Sequence, residues 1–174
     1  MNHRIDLSPD ELSRLVVEAA VNAAEQGFWP AAHPIADDAV THLVRFLGLL
    51  VAGDDDINRR EMDVFADVFA AARGERPAHE GLREMVMESV EIATDPDALQ
   101  HFLVSTPDYL RAVIEMDRAR GTRNADQVVT ALGGLALAVL AADGQEAVEE
   151  HSIFTTHLNH LRGELDTHGV AAEA

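Results

Sequence analysis

The stretch AGDDDINRRE, residues 52–61, decides the fold because it returns 89 positions later as AADGQEAVEE, residues 141–150. The offset superposes Asp54 on Asp143, Glu61 on Glu150 and Phe65 on Phe154, and lays Leu50-Val51-Ala52 over Val139-Leu140-Ala141. Each copy reads as an apolar run, an acidic turn, and a segment with an acid in its first turn. Self-similarity at a fixed offset marks a duplicated architecture.

Outward from the first turn, Val40, Leu43, Val44, Leu47, Leu50 and Val51 recur with a helical period over 37–52. Met62, Phe65, Val68 and Phe69 do the same over 58–73, and Gly74 supplies a stop. The second turn is entered from VVTALGGLALAVLAA, inside a predicted helix over 125–142, and left through a helix over 147–165 carrying Val148, Ile153, Phe154, Leu158 and Leu161. The repeat units thus cover about 37–73 and 125–165.

Helix starts are written elsewhere too. Ser8-Pro9-Asp10-Glu11 combines an N-cap serine, a proline at the first helical position and a glutamate that closes a capping box, predicting a helix over 9–25. Leu82, Met85, Val86, Val90 and Ile92 predict another over 80–93. Asp95-Pro96 opens a short helix through Leu99, Phe102 and Leu103, and Thr106-Pro107-Asp108 opens one that ends near Gly121. The expectation is an all-α, compact, internally duplicated bundle of seven to eight helices, one domain over 1–165 followed by a flexible tail over 166–174.

Composition agrees. Of the 174 residues 47% are hydrophobic and only 5% aromatic, a balance rich in alanine that favours closely packed helices over sheets. The net charge of −18 comes from 31 acids against 13 bases, all of them arginine. Phosphate backbones and anionic bilayers would be repelled, which disfavours nucleic acid and membrane surfaces and favours metal cations or a basic protein face. Without cysteine, disulfides, thiolate catalysis and thiolate zinc sites are excluded. The opening MNHRIDLSPDEL lacks the apolar core of a signal peptide, and the run at 128–142 is shorter than the roughly 18 residues of a membrane span. The expected setting is cytoplasmic.

The chemistry of the repeated turn follows from its spacing. In the C-terminal half of an EF-hand calcium loop, an Asp, a backbone carbonyl two residues later and a glutamate seven residues after the Asp converge on the ion. Asp54, the carbonyl of Asp56 and Glu61 have that spacing, as do Asp143, the carbonyl of Gln145 and Glu150. One half-loop offers too few oxygens for calcium, but two brought together by a pseudo-twofold pairing of the buried helices offer enough. The competing explanation is structural. Acids near helix N-termini are favoured by the backbone dipole, and Asn58 with Glu61 makes a capping box, whereas Ala147 at the matching position does not.

An apolar helix ending in Ala-Asp-Gly with a helix-opening glutamate seven residues after the Asp, given twice in an all-α chain, resembles the tellurite-resistance TerB-like family over roughly 37–165. Matching positions are Asp54 and Glu61 in the first unit and Asp143, Gly144 and Glu150 in the second; Asp55 stands where the family has glycine and Glu146 where it has an aliphatic. The resemblance implies a compact, internally duplicated helical domain with an acidic cation-binding site. With the turn spacing putting calcium first, the expected function is a non-enzymatic module that binds a divalent cation and assembles with proteins in bacterial stress or defence systems. Such modules occur alone or beside co-chaperones and AAA-type ATPases; this chain has no Walker motif of its own. The oligomeric state is left open.

Rival chemistries are weaker. His157 and His160 stand at i and i+3, with His151 and His168 nearby, a spacing able to bind zinc, yet one more often found on a solvated face. A hydrolase or other enzyme using the clustered carboxylates is the main alternative function, without an accompanying nucleophile or oxyanion loop in the sequence. A purely structural helical adaptor whose acids only cap helices is the other. Phe28 and Trp29 before Pro30 read as a lid on the core or as an anchor for a partner.

Overall fold

The computed structural model describes residues 7–52, 59–74, 78–142 and 148–170, and among these every regular element is an α-helix. They are α1 (Pro9–Glu25), α2 (Ile35–Val51), α3 (Arg59–Arg73), α4 (His79–Thr94), α5 (Pro96–Leu103), α6 (Asp108–Arg120), α7 (Asn124–Leu140) and α8 (Val148–His168). The all-α bundle expected from the periodicity is present. No helix among the described residues is long and apolar enough to cross a membrane.

Local chemistry sets the ends. At α1 the Ser8 amide donates to Glu11 Oε2 at 2.8 Å while the Glu11 amide donates to Ser8 Oγ at 3.3 Å, the reciprocal pair of a capping box. Asp95 accepts from the amides of Asp97 and Ala98 and opens α5. Helix α8 runs on to His168, three residues past the predicted end. Gly169 takes the left-handed conformation (φ 69°), its amide donates to Asp166 O, and the Val170 amide reaches back to Leu165 O at 3.1 Å. This Schellman closure buries Val170 beside Leu165, so the tail expected from 166 is ordered to 170. Nonpolar C-terminal residues after a glycine were the signal that the periodicity count passed over.

The duplication extends beyond the two units expected. Helices α2 and α7 have equal lengths of 17 residues and their bounds are offset by 89, as are the starts of α3 and α8. The packing obeys an exchange of α1 with α6, α2 with α7 and α3 with α8: α1 packs on α2 as α6 packs on α7, α1 on α3 as α6 on α8, and α2 on α3 as α7 on α8. The crossed pairs match too, with α1 on α7 and α6 on α2, and α3 on α7 and α8 on α2. Helices α4 and α5 lie between the halves in sequence; α4 covers α2, and α5 touches α4 and α8. The repeat is therefore a three-helix unit whose first helix escaped the offset because the α1–α2 connection is longer than the α6–α7 connection.

The core is continuous across the halves. Val16 and Ala20 of α1, Phe46 and Leu50 of α2, Leu132 and Leu135 of α7 and Leu158 and Leu161 of α8 are all in one buried cluster, with Phe28 and Trp29 packed half-buried against it. Small residues permit the tightest approaches. A Cβ at Gly48 would lie 2.3 Å from Ser89 Oγ, which marks where α4 presses onto α2. Gly134 similarly faces Leu12 of α1, where an added Cβ would come within 2.8 Å of a methyl group.

Candidate functional site

Of the six residues predicted to hold a cation, Asp54, Asp56, Asp143 and Gln145 lie outside the described residues, and Glu61 is placed only as a backbone position in α3. Glu150 is described: it sits in the first turn of α8 and is buried at 1% exposure. A carboxylate taken that far out of water requires a compensating partner, because its desolvation costs several kcal/mol. The helices that enter the two turns, α2 and α7, pack against each other, and each helix that leaves a turn touches the helix entering the other. Among the described residues no three His, Asp or Glu side chains cluster as metal ligands.

The described residues bring together a different polar group, deep in the bundle. His42 of α2 and His157 of α8 face each other with their Nε2 atoms 2.9 Å apart; His42 Nδ1 is 3.1 Å from the Tyr109 hydroxyl of α6, and His157 Nδ1 is 3.1 Å from the Leu103 carbonyl at the end of α5. Each element delivers its member by helical phase. His42 falls on the buried arc of α2 between Ala39 and Phe46, and His157 shares the inward face of α8 with Ile153 and Leu161. Tyr109 is steadied from its backbone, whose amide donates to Asp38 Oδ2 at 2.9 Å.

The hydrogen positions follow from the far end of this chain. A carbonyl only accepts, so His157 donates through Nδ1 and, when neutral, leaves Nε2 bare. His42 must then donate from Nε2 to His157, and its own Nδ1 accepts the Tyr109 O–H. Every ring nitrogen is satisfied with both rings neutral. Burial drives the His42 imidazole well below its ordinary pKa, with the adjacent His157 and Arg45 adding to the effect. Burial also pushes His157 down to about 4, outweighing the hydrogen bond to Leu103 that favours the charged ring, and His160 pushes the same way. The Tyr109 hydroxyl is raised by burial and by Asp38, so it stays protonated as a donor. At neutral pH the chain therefore works as an uncharged clamp on α2, α5, α6 and α8.

His157 and His160, paired in sequence as candidate zinc ligands, take separate partners. His157 joins the clamp, and His160 Nε2 lies 3.1 Å from Thr106 Oγ1. Asp117 is another buried acid that sequence reasoning passed over: its carboxylate accepts from Thr122 Oγ1, Asn124 Nδ2 and the Ala125 amide, tying the end of α6 to the start of α7. His42 had a readable signal, since a histidine on an otherwise apolar arc must find a polar partner inside the fold.

His42, at 7% exposure, forms part of the wall of a cleft of about 490 Å³ between α2, α5 and α6. Its other walls include Asp38, Arg45, Phe102 and Arg111. The cleft lies over the first half of α2, whereas the acidic turn leaves the opposite end of that helix, roughly 15 Å further on at 1.5 Å per residue. The two places are distinct. Comparisons of the chain with protein-family models, with curated proteins and with solved structures give no match.

Proposed function

We propose that the chain is a non-enzymatic, TerB-like helical module whose two acidic turns jointly hold one divalent cation, with calcium as the first choice, and that its role is protein assembly in a bacterial stress or defence system, beside a component such as an AAA-type ATPase. The observation that carries this reading is the exchange-symmetric packing of the two halves. A pseudo-twofold frame in which α2 pairs with α7, α3 crosses to α7 and α8 crosses to α2 is the arrangement that two incomplete half-loops need to complement each other. The ligands in this reading are Asp54, the Asp56 carbonyl and Glu61 from one turn, with Asp143, the Gln145 carbonyl and Glu150 from the other. Oxygen-only donors of this kind suit calcium or magnesium over softer metals. The burial of Glu150 supports an inward-facing acid at that position.

Thermal unfolding of EDTA-stripped protein tests the cation. A ligand that binds only the folded chain at a hundred times its dissociation constant adds about 2.7 kcal/mol, about 5 °C or more in a domain of this size. Calcium should raise the midpoint by that order in the wild type and leave Asp54→Asn and Asp143→Asn unmoved. Sodium chloride at matched ionic strength is the necessary control, because screening alone relieves the self-repulsion of a chain of net charge −18. An equal response of all three proteins to calcium and to sodium would sink the proposal.

A further inference from the structure

We infer that the cleft between α2, α5 and α6 is a binding site for a small aromatic carboxylate, with Arg45 holding the head group and Phe102 supporting the ring. The site is independent of the acidic turns and needs no metal.

Unused hydrogen-bond donors select the head group of the ligand. Two acids line the cleft, and both are engaged: Asp38 Oδ2 accepts from the Tyr109 amide at 2.9 Å, and Asp108 stands 3.5 Å from Arg111. Arg45 lines the same cleft and makes no hydrogen bond or ion pair with the described residues. Asp38 keeps its negative charge, since a backbone amide is neutral, so what distinguishes Arg45 is that its N–H groups are left for a ligand to use, whereas the lone pairs of Asp38 Oδ2 are already turned to the Tyr109 amide. A guanidinium presents parallel N–H groups that match the two oxygens of a carboxylate.

Shape and floor select the rest of the ligand. A volume of about 490 Å³ is within the range of small-molecule sites. Ile92, Ala98, Phe102 and Pro107 supply an apolar floor. The Phe102 ring lies 5.7 Å from the His42 ring at an interplanar angle of 19°, so a flat ligand would extend an existing stack. The walls are built before any ligand arrives: His42 is held at both nitrogens by the clamp, and Thr106 is tied to His160. Because both nitrogens of His42 are engaged, the imidazole supplies surface and not a hydrogen bond. The cleft therefore binds, with no acid–base step assigned to it.

The test is a titration of the full chain with 1-naphthoate, followed by amide chemical shifts, in EDTA so that any cation site stays empty. 1-Naphthalenemethanol serves as the neutral analogue, and Arg45→Met keeps an apolar side chain at an exposed position. The expected result is a saturable set of shifts confined to residues 38–45 and 98–111, with the neutral analogue and the variant each weaker by about ten-fold or more, the weight of one charge-assisted contact. No saturation up to about 5 mM, where even a millimolar ligand is mostly bound, overturns the site. Equal binding of the acid and the alcohol, or an unchanged affinity in Arg45→Met, overturns the role of Arg45 and with it the carboxylate. A failure here leaves the calcium result untouched, since the two tests share no residue and no ligand.

Discussion

Two imidazoles whose Nε2 atoms lie 2.9 Å apart can share only one hydrogen, and this makes the His42–His157 pair sensitive to acid. Both rings bind protons less readily folded than unfolded, where a histidine titrates near about 6.5. Between that value and about 4, where His157 titrates in the fold, the unfolded chain holds more protons. Stability from the pair is thus complete above about pH 6.5 and lost as the pH falls through that window, at up to about 1.4 kcal/mol per pH unit for each ring. Glutamine at position 157 can still accept from His42 and donate to the Leu103 carbonyl without titrating. Urea unfolding at pH 7 and pH 5 should therefore show His157→Gln losing less stability than the wild type, by about 1 to 2 kcal/mol. Parallel losses would mean that the clamp does not exist as described. Titrating carboxylates act equally in both proteins, so the difference isolates the ring. At this scale the sequence was only partly legible. Ser8 and Glu11 announced their bond because the partners are three residues apart, whereas His42 and His157 are separated by 115 residues and no local spacing connects them.

Elements meet where side chains are smallest, and Gly48 makes the sharpest case. An alanine there would put its Cβ 2.3 Å from Ser89 Oγ and 3.0 Å from Ser89 Cβ, in the seam between α2 and α4. Gly48→Ala should gain slightly in helix propensity yet lose about 1 to 3 kcal/mol overall, as overpacked cores do. Ser89→Gly removes both obstructing atoms, so the double variant should recover most of that loss relative to Ser89→Gly alone. A double-mutant cycle measured by chemical denaturation decides it; simple additivity would show that the seam relaxes without strain. Helix positions were largely readable, since Asp95-Pro96 and Thr106-Pro107-Asp108 announce α5 and α6 by their own chemistry. Which helices touch was not. The seam at Gly48 depends on α4 folding back over α2, and a glycine in an apolar run carries no mark of what will approach it.

Across the whole molecule the two halves are interleaved: α1 of the first half packs on α7 of the second, and α6 of the second packs on α2 of the first. Neither half has a core that it does not share with the other. Unfolding should then be a single event. Fluorescence of the one tryptophan, Trp29 in the first half, and far-ultraviolet circular dichroism, which reports all the helices, should give superimposable urea transitions. Separate midpoints would show that the halves are independent units. The 89-residue offset revealed the α2–α3 and α7–α8 correspondence, but unequal connections hid the kinship of α1 and α6. The clamp breaks the repeat. The counterpart of His42 in the second half is Ala131 and that of His157 in the first is Val68, while Leu103 is supplied by α5, which has no counterpart among the described helices. In an assembly of two identical subunits every side chain occurs twice, so a clamp built between two helices would also be built between their counterparts. Covalent linkage lifts that restriction: a fused pair keeps the mutual burial of a dimer while each copy drifts toward its own specialisation, and a clamp present in one crossing of the described helices and absent from its counterpart is what such a division of labour leaves behind.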